Sequence, residues 1–294
     1  MSPGEIRKAL VTGARGQVGT ELLRNAPVTW QAVGLGSVGL DITQPSMVHA
    51  VLQRERPTLV INAAAYTAVD AAEQHEAAAM AANADGARHV AAAAERVDAR
   101  VIQLSTDFVF DGEIGRPYRP TDEPRPLSVY GRSKEAGERE ILRLGAGGLV
   151  LRTAWVYASH GRNFVVRMLD RMREPETLSV VADQIGTPTW ARSLATAIWA
   201  AADRPAVHGI LQWTDAGSAS WFDFAVAIAE EAFAFGLLPR IPTIAPVRTG
   251  EFPAAARRPG FSVLDTSAAR AALGLEPAPW RENLRHAIRE LAGA

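Results

Sequence analysis

Residues 12–19 read TGARGQVG, and this octapeptide decides the fold. Its glycines, Gly13, Gly16 and Gly19, fall in the pattern GxxGxxG. The run KALVT at 8–12 has strand character, and 17–25 has helical spacing. A glycine-rich segment that leaves a strand and enters a helix does more than turn the chain. Glycine allows the tight reversal and lets backbone N–H groups approach a pyrophosphate at the helix N-terminus. In that context the motif predicts dinucleotide binding. The spacing is not GxGxxG, which points to a different branch of nucleotide-binding folds.

Outward from the loop, strand and helix patterns alternate. Strands are predicted at 28–34, 58–63 (TLVINA), 101–105 (VIQLS) and 148–153 (GLVLRT). Helices are predicted at 45–55, over the alanine-rich 70–98, and at 128–144 with Gly131 and Gly137 inside it. Apolar strands alternating with helices predict an α/β fold, a Rossmann-like doubly wound parallel sheet covered on both faces. The last third differs. Helices are expected at 193–202, 220–235, 267–273 and 279–291, with a proline-rich irregular stretch at 238–259. The expected organisation is a nucleotide-binding domain over 1–153 and a smaller, mostly helical substrate lobe over 154–294, with later crossings of the chain returning to the sheet.

Composition bounds the function. The 294 residues carry a formal net charge of −1, which gives no electrostatic reason to expect nucleic acid or a membrane as partner. The absence of cysteine excludes disulfides, thiolate metal sites and a cysteine nucleophile. The N-terminal stretch shows no apolar signal core, so the cytoplasm is the expected compartment. Of 31 basic residues only Lys8 and Lys134 are lysine.

That scarcity bears on YGRSK at 130–134. Tyr130 and Lys134 are four apart and share a helix face. A phenol with its pKa near ~10 is a poor proton-transfer group at neutral pH unless a nearby cation favours the phenolate. A compact ammonium does this and also holds a ribose hydroxyl, a role for which arginine's broad fork is less suited. Upstream, Thr106 lies at the carboxyl end of the strand VIQLS, the edge where open α/β sheets bind ligands. Its hydroxyl either donates to a substrate carbonyl or caps the following turn. Thr106, Tyr130 and Lys134 are the candidate catalytic set. For the cofactor, the end of the second strand, 34–39, has no acid to bind a free ribose 2′-hydroxyl, and Arg15 is available to a 2′-phosphate. NADPH is therefore favoured over NADH.

Glycine loop, threonine and YxxxK in this order resemble the extended short-chain dehydrogenase/reductase family. NAAAYTAVDAAE (62–73), STDFVFDG (105–112), PLSVYGRSKEAGE (126–138), RTAWVYA (152–158), DQIGTPT (183–189) and ARRPGFSVLDT (256–266) narrow it to the dTDP-4-dehydrorhamnose reductase group. The resemblance spans nearly the whole chain. It implies reduction of the C4 keto group of a dTDP-sugar, dTDP-4-dehydro-6-deoxy-L-mannose, to dTDP-L-rhamnose. Tyr130 would protonate the developing alkoxide, Thr106 would hydrogen-bond it, and Lys134 would bind the nicotinamide ribose and lower the tyrosine pKa. The resemblance further implies Gly16, Gln17 and Val18 on the phosphates, Asp41 and Ile42 at the adenine, and Ala64, Ala65 and Tyr66 along the middle of the cofactor. Asp107 and Trp155 would touch the substrate.

Departures and rivals follow from the same residues. Phe108 stands where many relatives carry tyrosine. Some relatives are thought to join a dimer through Mg²⁺ held by a glutamate after GTPT; here Arg192 stands there, and a cation is a poor Mg²⁺ ligand. That argues against a metal-linked dimer; Mg²⁺ stays a lesser candidate with no residue assigned to it, and the chain is read as a monomer or a homodimer. A 4,6-dehydratase needs Asp-Glu after the threonine, and Thr106-Asp107-Phe108 lacks the glutamate. A 4-epimerase and a non-catalytic nucleotide-binding subunit remain as alternatives.

Overall fold

A computed structural model describes residues 7–174 and 177–293. The N-terminal six residues, part of the stretch searched for a signal core, lie outside the described residues. Six parallel strands form the central sheet: β1 Arg7–Thr12, β2 Trp30–Leu35, β3 Leu59–Asn62, β4 Arg100–Thr106, β5 Gly148–Thr153 and β6 Gly209–Gln212. Their spatial order is β6-β5-β4-β3-β1-β2. The chain leaves β1 for β2 on one side and returns to β3 on the other. That reversal opens a crevice at the carboxyl ends of β1 and β3, the place such sheets bind ligands.

Side chains alternate across the strands with a period of two. Leu10, Val60, Val101 and Val150 enter one apolar layer with Val48, Leu52 and Val90. Ala9, Val11, Ile61, Ile102 and Leu151 enter the opposite layer with Leu22, Leu194, Ile198 and Leu273. Helices cover both faces: α1 Gln17–Arg24, α2 Pro45–Glu55, α3 Gly86–Glu95 and α4 Val129–Leu142 come first in the chain. Further on lie α5 Phe164–Met172, α6 Ala191–Ala202, α7 Trp221–Ala234, α8 Ser267–Leu273 and α9 Trp280–Leu291. α5, α7 and α9 enclose a second core built on Tyr157, Leu169, Phe224, Ile228, Leu284 and Ile288.

The long helix expected over 70–98 is broken. A short turn Val69–Ala72 and the helix Glu76–Met80 precede a π-helical turn, Ala81–Asp85, before α3 begins. The widened turn swings Asn83 inward, as π-bulges do at functional sites. Its Oδ1 accepts from Tyr66 N at 2.8 Å, and its Nδ2 donates to Tyr66 O at 3.0 Å and to Ser133 Oγ at 2.9 Å. Alanine-rich sequence gives no hint of that interruption, because alanine fits either helix type. The sixth strand and α5 are absent from the sequence reading, and α6, β6 and α8 pack on the sheet although they follow residue 153. A strand of four, GILQ, is too short for its period to show. The irregular stretch 238–259 contains one further strand, Ile244–Val247, parallel to Leu178–Val181.

Candidate active site

At the carboxyl edge of the sheet lies a cleft of about 820 Å³. The glycine loop forms one wall. Gly13 has φ +62°, and a Cβ there would stand 2.6 Å from Ala64 N, so only glycine lets β1 turn beside β3. Beneath the loop runs a buried polar ladder. Thr12 Oγ1 donates to Asn62 Oδ1, Asn62 Nδ2 donates to Gln103 Oε1 at 2.7 Å, and Ala64 N donates to Thr12 Oγ1 at 3.2 Å. This chain ties the ends of β1 and β3 to the middle of β4 in low dielectric, where an unpaired partner is costly.

Gly13, Gly16, Gln17, Val18, Gly19, Asp41, Ile42, Ala64 and Ala65 all line the cleft. Arg15 does too, its stem against Gly36 at the end of β2, where a Cβ would meet Arg15 Cδ at 3.1 Å. Asp41 is engaged locally: its Oδ1 accepts from Thr43 N at 3.0 Å and from Thr43 Oγ1 at 2.8 Å. Tyr66 stands apart from the lining; its ring packs with Ala72, Ala79 and Val129, while Thr67 and Val69 face the cleft.

The opposite wall holds the candidate catalytic set. Ser128 caps α4, accepting from Gly131 N at 3.1 Å, and Glu73 Oε1 accepts from Val129 N at 2.8 Å. Tyr130 and Lys134 then project one turn apart into the cleft beside Thr106. Gly131 serves the close approach: a Cβ there would lie 2.2 Å from Phe108 O, so any side chain would push α4 off the Thr106 turn. Thr106 Oγ1 donates to Asp107 Oδ1 at 3.2 Å and accepts from Phe108 N at 3.2 Å. The hydroxyl thus caps the turn Asp107–Val109 and faces the cleft at once.

Burial sets the proton affinities here. Burial pushes Tyr130 up to about 12, with the Thr106 hydroxyl opposing and the Asp107 charge adding to it. Burial lowers Lys134 to about 8, with the Glu138 carboxylate opposing. Burial also raises Asp107 to about 6 against hydrogen bonds from Ser262 and Thr106. The expected depression of the tyrosine by the lysine does not appear. Lys134 Nζ donates to Leu104 O at 2.6 Å, and desolvation of the phenol dominates. Tyr130 is therefore protonated across the neutral range, the state a proton donor needs.

Trp155, expected at the substrate, lines the cleft, and so do Trp221, Arg258 and Thr153, which escaped the sequence reading. Trp155 has φ +46°, a left-handed conformation uncommon for a bulky residue. Its ring lies parallel to Trp221, with centroids 3.5 Å apart, and both line the cleft. Trp221 opens α7 right after the Ser220 cap, and in sequence it looks like any core aromatic. Arg258 also reaches the cleft, held by Asp70 at 3.0 and 2.6 Å. Thr153, paired with Thr106 across β4 and β5, has a buried hydroxyl without a protein partner.

Arg192 lies away from this cleft. Its Nε donates to Glu21 Oε2 at 2.9 Å, it pairs with Glu290, and His160 Nε2 is 2.9 Å from Glu21 Oε1. The guanidinium already neutralises the carboxylates around it, so these residues do not fit Mg²⁺. Among the described residues no group of three or more His, Asp or Glu is arranged to hold a metal. Likewise no helix there is long and apolar enough to cross a membrane.

Comparison with known proteins agrees with the geometry. The family model described as the RmlD substrate binding domain matches residues 7–292. A dTDP-4-dehydrorhamnose reductase of Burkholderia thailandensis is 41% identical over 97% of this chain and 99% of its own length. A probable dTDP-4,6-dihydroxy-2-methyloxan-3-one 4-ketoreductase of Streptomyces antibioticus is 42% identical over 97% of this chain and 96% of its own. The crystal structure of dTDP-4-dehydrorhamnose reductase from Bacillus anthracis in complex with NADP superposes with a TM-score of 0.92, at 36% identity, covering 97% of this chain and all of the other. By sequence span and by structure, the chain belongs to the dTDP-4-dehydrorhamnose reductase family of the extended short-chain dehydrogenase/reductases.

Proposed function

We propose that this chain reduces the C4 keto group of dTDP-4-dehydro-6-deoxy-L-mannose to give dTDP-L-rhamnose, using NADPH. The observation that carries the reading is Tyr130 and Lys134 on one turn of α4, facing Thr106 in a cleft that the glycine loop also lines. Gly13, Gly16, Gln17 and Val18 would hold the cofactor's phosphates at the start of α1, and Ala64 and Ala65 its middle. When bound, the nicotinamide supplies the hydride. The Thr106 hydroxyl turns its proton from Asp107 Oδ1 to the keto oxygen, and Tyr130 delivers its proton to that oxygen as charge develops. Lys134 holds the ribose side of the site and keeps a positive charge close to that oxygen. Asp107 and Trp155 orient the sugar, the carboxylate as acceptor and the ring as an apolar wall.

The test is purified protein with this substrate and with its 4-keto-6-deoxy isomers, using NADPH and NADH in turn and following nicotinamide absorbance. Turnover fastest with the L-manno substrate supports the reading. Turnover confined to another dTDP-4-keto sugar would transfer the assignment to that sugar, as the name of the Streptomyces relative illustrates. Binding of NADPH without any turnover would favour a non-catalytic subunit.

Two further outcomes are expected. Lys134 is charged below its pKa of about 8 and neutral above it, so kcat should fall as pH rises through that value. A profile flat to pH ~10, where an ordinary lysine titrates, would separate Lys134 from the rate. Arg15→Ala should raise KM for NADPH about tenfold, the worth of one charge-assisted hydrogen bond, and leave KM for NADH nearly unchanged. Equal changes for both cofactors would remove Arg15 from the 2′-phosphate.

A further inference from the structure

Beneath the candidate catalytic groups lies a buried ion pair that none of the reaction steps uses. Arg152 in β5 is 1% exposed and Glu138 in α4 is 2% exposed. The contact is bidentate: Arg152 Nε donates to Glu138 Oε1 at 2.9 Å and Nη2 to Oε2 at 2.7 Å. Ser105 Oγ donates to the same Oε1. Pro120 O is 3.4 Å from Arg152 Nη1, and the guanidinium lies 5.0 Å from the centre of the Phe110 ring. A buried pair of this kind is often no more stabilising than apolar residues of the same size. Its position gives it another use.

Each member adjoins a residue of the site. Ser105 precedes Thr106 in β4, and Arg152, its register partner across the sheet, precedes Thr153 in β5. Glu138 follows Lys134 by one helical turn on the face that carries Tyr130. One carboxylate thus joins the three elements from which the site projects. Lys134 is itself 4% exposed, and its hydrogen-bond acceptor among the described residues is Leu104 O, a neutral carbonyl. Other charges around α4 have other partners or lie further out. Glu73 caps the helix at Val129, Glu76 is 4.0 Å from Arg132 at the surface, Asp85 pairs with Arg88, and Asp107 faces Tyr130. Glu138 is the carboxylate acting on the ammonium, with Arg152 holding it in place.

We propose that Glu138, fixed by Arg152, is a positioning residue that keeps the Lys134 ammonium charged within the cleft and locks the strand end bearing Thr106 to α4. It touches neither substrate nor cofactor. The inference rests on the proposed role of Lys134, and its test needs no turnover.

The chain contains two lysines, so ¹³C labelling at lysine Cε yields two resonances, and Lys8→Arg assigns them. Titration of the Lys134 signal then reads its proton affinity in the intact protein. Glu138→Gln removes the carboxylate and leaves Arg152 uncompensated, so the midpoint should fall by about one unit or more. The double variant Glu138→Leu with Arg152→Met, of similar volume and apolar, should fold even if the single variant does not. Its midpoint should lie between those of Glu138→Gln and the unmodified protein, or below the latter where the single variant is unfolded. With the dTDP-keto sugar, both variants should show the alkaline fall of kcat at correspondingly lower pH. A Lys134 midpoint unmoved in the double variant would overturn the proposal, leaving the pair a structural strut. Absent turnover in the unmodified protein, together with a shifted midpoint in the variants, would sink the reductase reading and leave this one standing.

Discussion

Tyr130→Phe is expected to lower kcat by about 10³-fold, within the range that a positioned general acid contributes. The substitution removes one oxygen and little else. The ring keeps its edge-on contact with Phe108, 5.8 Å between centroids, and its place against Val129. NADPH affinity should stay within about threefold, because the proposed binding groups for the phosphates, in the glycine loop, and for the adenine, at Asp41 and Ile42, lie elsewhere in the cleft. The matched measurements are single-turnover kinetics and cofactor titration by fluorescence. A variant that reduces substrate at the original rate would show that water or another side chain supplies the proton.

Lys134→Met should have the second largest effect, a fall in kcat of about 10²–10³-fold, comparable to loss of one preorganised charge at a developing oxyanion. Here NADPH binding should weaken as well, since the role proposed for the ammonium includes holding the ribose. Methionine fills the volume, but Leu104 O loses its donor. Lys134→Arg should rescue little, because a planar fork does not fit a site that is 4% exposed and shaped for a point charge. Recovery of activity by arginine would mean that positive charge alone suffices there.

These two effects rest on residues that were legible in the sequence. The glycine loop, the strand end at Thr106 and the pair at 130 and 134 carry local signatures, namely glycine spacing after an apolar run and a shared helix face. The structure brings all of them to one cleft. The ends of most strands and helices were equally readable; GLVLRT at 148–153 is β5 residue for residue. What escaped depends on contacts distant in sequence. Trp221 and Arg258 reach the cleft only because the second core and the segment before α8 fold back toward the sheet. Asn83 matters through a π turn that alanines neither favour nor forbid. Gly131 and Gly137 look like flaws in a helix until Phe108 O and Asn83 O are found where their Cβ atoms would stand. The role expected of Lys134 towards Tyr130 also needed coordinates, since spacing gives a shared face but not where the ammonium donates.

The most direct measurement of the central claim follows the hydride itself. Supplied with dTDP-4-dehydro-6-deoxy-L-mannose and NADPH carrying deuterium at the transferable position, the protein should consume the cofactor in equal amount with sugar. Proton NMR of the product should show the L-rhamno configuration with deuterium at C4 alone. Product formed without net cofactor oxidation, or labelled at any other carbon, would contradict the assignment of this cleft as a 4-keto reductase.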